Sequence, residues 1–169
     1  QNIIEYCNQL VYDNKLFYIE HLNKDLKDSG LPAMAYVEST GESTKGDNNA
    51  SKINRTEAQM IAELVLENYH AWQQLLGDKG HKPPLQDMLA IIMPFNQQKH
   101  VMLDALLAEN KAQGQPIPEE DIHNTIINTI HALQGAEKDI VIYSGVQTGE
   151  DGDKLFFEEQ PYLLNVAIS

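Results

Sequence analysis

The sequence predicts an α/β fold in which helices flank a mainly parallel sheet. Three observations predict it. Two apolar runs, Thr125–Ile130 and Ile140–Tyr143, stand on either side of a polar break, Gln134-Gly135-Ala136-Glu137, and a third run, Met88–Met93, precedes them. Short apolar runs bounded by turn signals fit strands buried on both faces, as in a parallel sheet covered by helices. The intervening stretches carry helical spacing instead, and the alternation of the two periods gives the layered architecture.

In chain order, Ile3, Ile4, Cys7, Leu10 and Val11 recur at spacings of three and four and place a helix face before the turn Asp13-Asn14-Lys15. Residues 16–26 are loop or a second short helix, broken at Asp28-Ser29-Gly30-Leu31-Pro32. Residues 33–39 are expected as a strand, and 40–55 as a solvated, mobile loop rich in Gly, Ser, Asn and Lys. The strongest helix runs from Thr56 to Leu76, capped either by Asn54 with Glu57 or by Thr56 with Gln59. Its stripe Ile61, Leu64, Val65, Tyr69, Trp72 and Leu76 is a core face. A connector over 77–85 leads through Gln86-Asp87 into the strand Met88–Met93, and Asn96 is expected to cap the next helix, with Met102, Leu103, Leu106 and Leu107 inside. Residues 113–121 form a loop ending in a solvated acidic run, Glu119-Glu120-Asp121. Beyond the last strand come a turn at 149–153, a short strand at 155–157 and a helix starting at Pro161 behind Gln160.

Length and charge narrow the function. At 169 residues the chain is one domain by size, long enough to bury a sizeable core. No apolar run approaches the ~20 residues that span a bilayer, and no signal pattern opens the chain, so a soluble, cytoplasmic protein without a membrane partner is expected. Cys7, the single cysteine, reads as a buried structural residue. The formal net charge is −13, from 12 basic and 25 acidic residues, with Arg55 the only arginine. Phosphate neutralisation supplies most non-specific affinity for nucleic acid, so tight autonomous binding by these residues alone is not expected. Gly41-Glu42-Ser43-Thr44-Lys45-Gly46 lacks the G-K-S/T order of a phosphate loop. The six histidines show no ligand spacing with acids or cysteines, and no metal site is expected.

Within this frame Thr129–Ser144, TIHALQGAEKDIVIYS, resembles motif V of superfamily 1 helicases of the Upf-like group over about sixteen positions. Flanking segments agree in order. Ala90–Gln98, AIIMPFNQQ, is similar to motif IV, and Tyr162–Ser169, YLLNVAIS, to the start of motif VI. Ser51–Ala58, SKINRTEA, resembles the family segment that leads into the long helix, and Ile3–Leu16 resembles the segment after the family's Y-R motif.

The resemblance implies the second RecA-like domain of a helicase core, a P-loop NTPase fold without its own Walker A sequence, spanning 1–169 as a fragment of a longer protein. It implies that ATP with Mg²⁺ binds in the cleft shared with an absent first RecA-like domain, which holds most of the metal, and that single-stranded DNA or RNA crosses the upper surface. By the same resemblance Gly135 and Glu137 meet the nucleotide. Thr129, His131, Gln134, Pro94, Phe95 and Asn165 line the nucleic-acid track. Met93 departs from the usual threonine or alanine, and Gln98 matches the motif IV glutamine. The arginine finger of motif VI would follow Ser169, so no catalytic residue is expected within the fragment. Read without the family, Glu137 is an exposed turn residue, Thr129 a strand former and Phe95 a core aromatic. The alternatives to an ATP-dependent helicase motor are a protein-interaction or regulatory module on a degenerate helicase-like fold, and an NTP-dependent translocase that does not separate strands.

Overall fold

A computed structural model describes residues 35, 37–39, 41–46, 51–129 and 138–147. Strand β3 (Leu89–Met93) is its centre, with all five residues fully buried. Strands β4 (Ile126–Thr129) and β5 (Ile140–Tyr143) lie on either side of it, both parallel, in the order β4-β3-β5. Ile91 stands opposite Ile127 on one side and Ile142 on the other. Alternation along β3 sends Leu89, Ile91 and Met93 into the main core and Ala90 and Ile92 to the opposite face. The four larger side chains, Leu89, Ile91, Ile92 and Met93, each contribute roughly 1.5–3 kcal/mol.

Burial on both faces, expected of all three runs, holds for β3 and not for its neighbours. The residues of β4 are half-buried, and Val141 in β5 is 39% exposed. Among the described residues each outer strand has a hydrogen-bonded neighbour on one side only. β4 and β5 are not neighbours in the sheet but are separated by β3.

Helix α1 (Arg55–Leu76) begins where Asn54, extended at φ −133° and ψ 100°, accepts the Glu57 N–H on Oδ1 at 2.9 Å. This settles the choice between the two expected caps. Its buried face comprises Ala58, Ile61, Ala62, Val65, Leu66, Tyr69 and Trp72, while Leu64 is half-buried. The helix ends at Gly77, whose N–H donates to the Gln73 carbonyl at 3.1 Å. A Cβ there would lie 2.3 Å from the His81 carbonyl oxygen and 2.6 Å from that of Gln73, so only glycine lets the chain fold back this tightly. The Gln73 amide then donates to both Tyr69 Oη and the Pro83 carbonyl.

The helical turn α2 (Leu85–Met88) takes residues expected in the connector and start of the strand. Helix α3 (Gln98–Ala112) packs on α1 and buries Gln98, Met102, Leu106 and Asn110, a stripe of fours. Asn96 is exposed and does not cap it; Gln97 occupies that position without a side-chain cap bond. At its far end the Asn110 amide pins Ile117 through both backbone groups, at 2.8 and 3.0 Å. The acidic run Glu119-Glu120-Asp121 is the first turn of α4 (Glu119–Asn124), where negative charge complements the helix dipole.

Two differences concern the segment before α1. The described part of the expected strand 33–39 forms no strand, and Val37 is 56% exposed. The expected solvated loop instead carries a short antiparallel pair, β1 (Thr44–Lys45) with β2 (Lys52–Ile53). Ile53 is buried, and the Gly46 N–H closes the pair onto the Ser51 carbonyl at 2.8 Å. The readings for 1–32, including Cys7 and the break at 28–32, for Ile130 and for 149–169 fall outside the described residues. Among the described residues no helix is long and apolar enough to cross a membrane.

Candidate functional site

In open parallel sheets, ligands bind outside the carboxyl ends of the strands. Here that edge is formed by Thr129 at the end of β4, by Met93 at the end of β3 with Pro94 and Phe95 after it, and by Tyr143 at the end of β5 with Ser144–Val146 after it. The register places Thr129 beside Met93, and the Ser144 N–H continues the ladder onto the Ile92 carbonyl at 2.8 Å. Three residues expected on a nucleic-acid track, Thr129, Pro94 and Phe95, thus share one rim, all half-buried. Phe95 is not a core aromatic, since it lies outside the buried set. His131, Gln134, Gly135, Glu137 and Asn165 lie outside the described residues.

Beneath the rim is a buried polar network. Its hub is Gln98, fully buried: Oε1 accepts the Asn54 N–H at 2.9 Å, and Nε2 donates to the Asn54 carbonyl at 3.0 Å and to Ser144 Oγ at 3.4 Å. Asn54, besides capping α1, donates from Nδ2 to the Gly41 carbonyl at 3.3 Å. Glu57, one turn into α1, accepts the Val146 N–H on Oε2 at 2.9 Å and is also hydrogen-bonded by the Ser144 side chain and the Gly145 backbone. The start of α1, the start of α3 and the segment after β5 are fastened together by three side chains.

The network holds the backbone in an unfavourable shape. Val146 has φ +67° and is fully buried. A β-branched residue in the left-handed region is a genuine outlier, with a cost of order 1–3 kcal/mol. The Glu57 carboxylate supplies an acceptor for the amide so oriented. Its pKa is raised, chiefly because burial penalises the charge, with the bonds from Ser144, Val146 and Gly145 opposing that effect. The Tyr143 hydroxyl is likewise pushed well up by burial and then by the Glu57 charge, so it stays neutral.

Chemically this network positions. Its polar atoms are committed to each other and to backbone, whereas the rim above it remains partly open. The backbone of Asn128–Thr129 is also fixed from α3, where Lys99 Nζ donates to Asn128 Oδ1 at 3.2 Å and that oxygen accepts the Thr129 N–H at 2.8 Å. Sequence reasoning placed Asn54 and Glu57 as a helix cap and Gln98 as a motif residue, and missed that they form one network. The signal was present in the spacing Ser51, Asn54, Glu57, but joining it to Gln98 and Ser144 requires contacts over more than forty positions. No group of three or more His, Cys, Asp or Glu side chains among the described residues is placed to hold a metal ion.

The family model described as an AAA domain matches residues 1–169. A comparison with curated proteins finds no match.

Proposed function

We infer the function from this premise: the chain belongs to the AAA domain family and is a helicase-family domain. From it we propose that residues 1–169 are the second RecA-like motor domain of an ATP-dependent superfamily 1 helicase of the Upf-like group. In this reading the domain closes an ATP cleft with a first RecA-like domain and carries single-stranded DNA or RNA over its upper rim. The observation that carries the proposal is the family match over all 169 residues. The parallel β4-β3-β5 sheet supports it, because its carboxyl edge gathers Thr129, Pro94 and Phe95.

Gly135 and Glu137 meet the nucleotide in this reading. Glycine lets the backbone approach the ligand, and a carboxylate accepts from ribose hydroxyls or orders water without facing the phosphates. His131, Gln134 and Asn165 join the track, donating to phosphate or sugar. Mg²⁺ is held mainly by the first domain. Gly135→Val puts a branched side chain where the backbone meets the ligand, and Glu137→Ala removes a hydrogen bond involving a charged group, about 1.5–3 kcal/mol, so each variant of the full-length protein should weaken binding of a fluorescent ATP analogue about tenfold or more. Wild-type affinity in both variants, measured by equilibrium titration on protein with native circular dichroism, rules out this nucleotide site.

A second reading, a protein-interaction module, is favoured by the net charge of −13, which suits a basic partner. It requires a full-length protein without nucleotide affinity.

A further inference from the structure

After β5 the chain turns in a way that its local sequence does not call for. The Gln147 N–H donates to the Gly145 carbonyl, two positions back, at 2.7 Å, around Val146 at φ +67°. That bond and that φ describe the γ-turn of positive φ, which is rare and strained. Its centre is a buried β-branched residue. Gly145, next to it, would take a positive φ without steric penalty, yet it does not have one. The position of the turn is therefore set from outside the turn.

Glu57 sets it. Its buried carboxylate accepts the Val146 N–H at 2.9 Å and is also bonded by the Gly145 backbone and the Ser144 side chain, so three consecutive residues are gathered onto the first turn of α1. A buried carboxylate is unfavourable in itself, and the strained turn adds to that. Residues held in such conformations by their surroundings cluster at functional sites. Both conflicts fall at the carboxyl end of β5, which is one part of the rim. The other two parts are held from α3, by Lys99 through Asn128 at Thr129, and by the Gln98 N–H on the Phe95 carbonyl at 3.1 Å. The third hold comes from α1.

We propose that Glu57 is a positioning residue of the single-stranded nucleic-acid track: it clamps the turn at residues 145–147 and so places the β5 end of the rim, with the Gln147 amide, on the edge that carries Thr129, Pro94 and Phe95. The proposal rests on the reading of the domain as a helicase motor. Glu57 itself touches no nucleic acid, because it is buried and its carboxylate is bonded to the turn. An amide side chain such as that of Gln147 donates to phosphate or sugar oxygens and accepts from base edges or a 2′-hydroxyl. Loss of Glu57 acts through the turn, on binding of the strand and not on hydrolysis in its absence.

The test measures ATP hydrolysis by the full-length protein against the concentration of oligothymidylate and of oligouridylate, in wild type, Glu57→Ala, Glu57→Gln and Asn110→Ala, with folding checked by circular dichroism at the assay temperature. Asn110 is the control for stability: its buried amide pins Ile117 at the far end of α3, so its loss destabilises without touching the turn. Glu57→Ala should raise the half-saturating oligonucleotide concentration about tenfold, the loss expected for about one hydrogen bond to the strand, with hydrolysis in the absence of nucleic acid unchanged. Glu57→Gln keeps a carbonyl acceptor for the Val146 N–H and should remain within about threefold of wild type. Asn110→Ala should match wild type. Should Glu57→Ala not fold, Glu57→Asp, which keeps the charge and draws the oxygens back by one methylene, reads the same shift. A half-saturating concentration that is unchanged without Glu57, raised equally in Asn110→Ala, or accompanied by an equal loss of hydrolysis without nucleic acid overturns the positioning role and leaves the motor reading intact. A wild-type protein whose hydrolysis neither oligonucleotide stimulates removes the motor reading, and the positioning role with it.

Discussion

Gln98→Ala is expected to lower the unfolding free energy by about 2–4 kcal/mol, combining an orphaned buried N–H, about 1–3 kcal/mol, with the space left by the side chain. The wild-type amide satisfies the Asn54 N–H and donates to the Asn54 carbonyl and Ser144 Oγ. Asn54 is itself the cap of a helix of 22 residues, so the loss reaches the start of α1. Chemical denaturation measures the total. Gln98→Met separates its parts: methionine fills the volume but accepts no N–H, and should recover only the packing share. Wild-type stability in the methionine variant contradicts the assignment of Gln98 as hub.

Glu57→Ala should destabilise to a similar extent, about 2–4 kcal/mol, because it strands the buried Val146 N–H and removes bonds to Ser144 and Gly145 while Val146 stays at φ +67°. Glu57→Gln behaves differently, since it keeps a carbonyl acceptor and removes the buried charge. Burial raises the Glu57 pKa above its ordinary value of 4.5. Below that value the carboxyl is protonated in folded and unfolded chains alike. As the pH climbs towards the raised folded value, the unfolded chain ionises first and folded stability falls. Above the folded value the penalty is constant. Glu57→Gln should therefore abolish this decline and be at least as stable as wild type at neutral pH. Urea unfolding of both proteins through the same pH range measures it; an unchanged decline in the variant assigns the pH dependence to another group.

The parts of the fold governed by local pattern were legible in the sequence. The 3.6-residue stripe of α1 and the all-apolar β3 need no partner to be recognised, and motif resemblance located the rim residues Thr129, Pro94 and Phe95. Three features were not legible, each for a physical reason. The hairpin hid in a polar segment because two-residue strands have too little length for a period; its anchor is the bond between Ser51 and Gln97, across 46 positions. The role of Gln98 was hidden because a buried amide and a surface amide have the same letter, and only the reciprocal bonds to Asn54 distinguish them. The half-exposed β4 and β5 read as fully buried because apolar runs report hydrophobicity and not the number of neighbouring strands. By contrast, Asn96 was a reasonable cap by type, and lost because the turn that starts α3 is closed by backbone bonds from Gln98 to Phe95 and from Lys99 to Asn96.

ATP hydrolysis by the full-length protein, with and without single-stranded oligonucleotide, is the most direct test of a motor function for this domain. A helicase motor should hydrolyse ATP, and the oligonucleotide should stimulate that hydrolysis severalfold or more. Glu137→Ala should reduce it at least about tenfold, equivalent to about 1.4 kcal/mol, while the protein remains folded. Hydrolysis that is absent in the wild type, or indifferent both to the oligonucleotide and to Glu137→Ala, contradicts the motor function and leaves an interaction module on a motor-like scaffold.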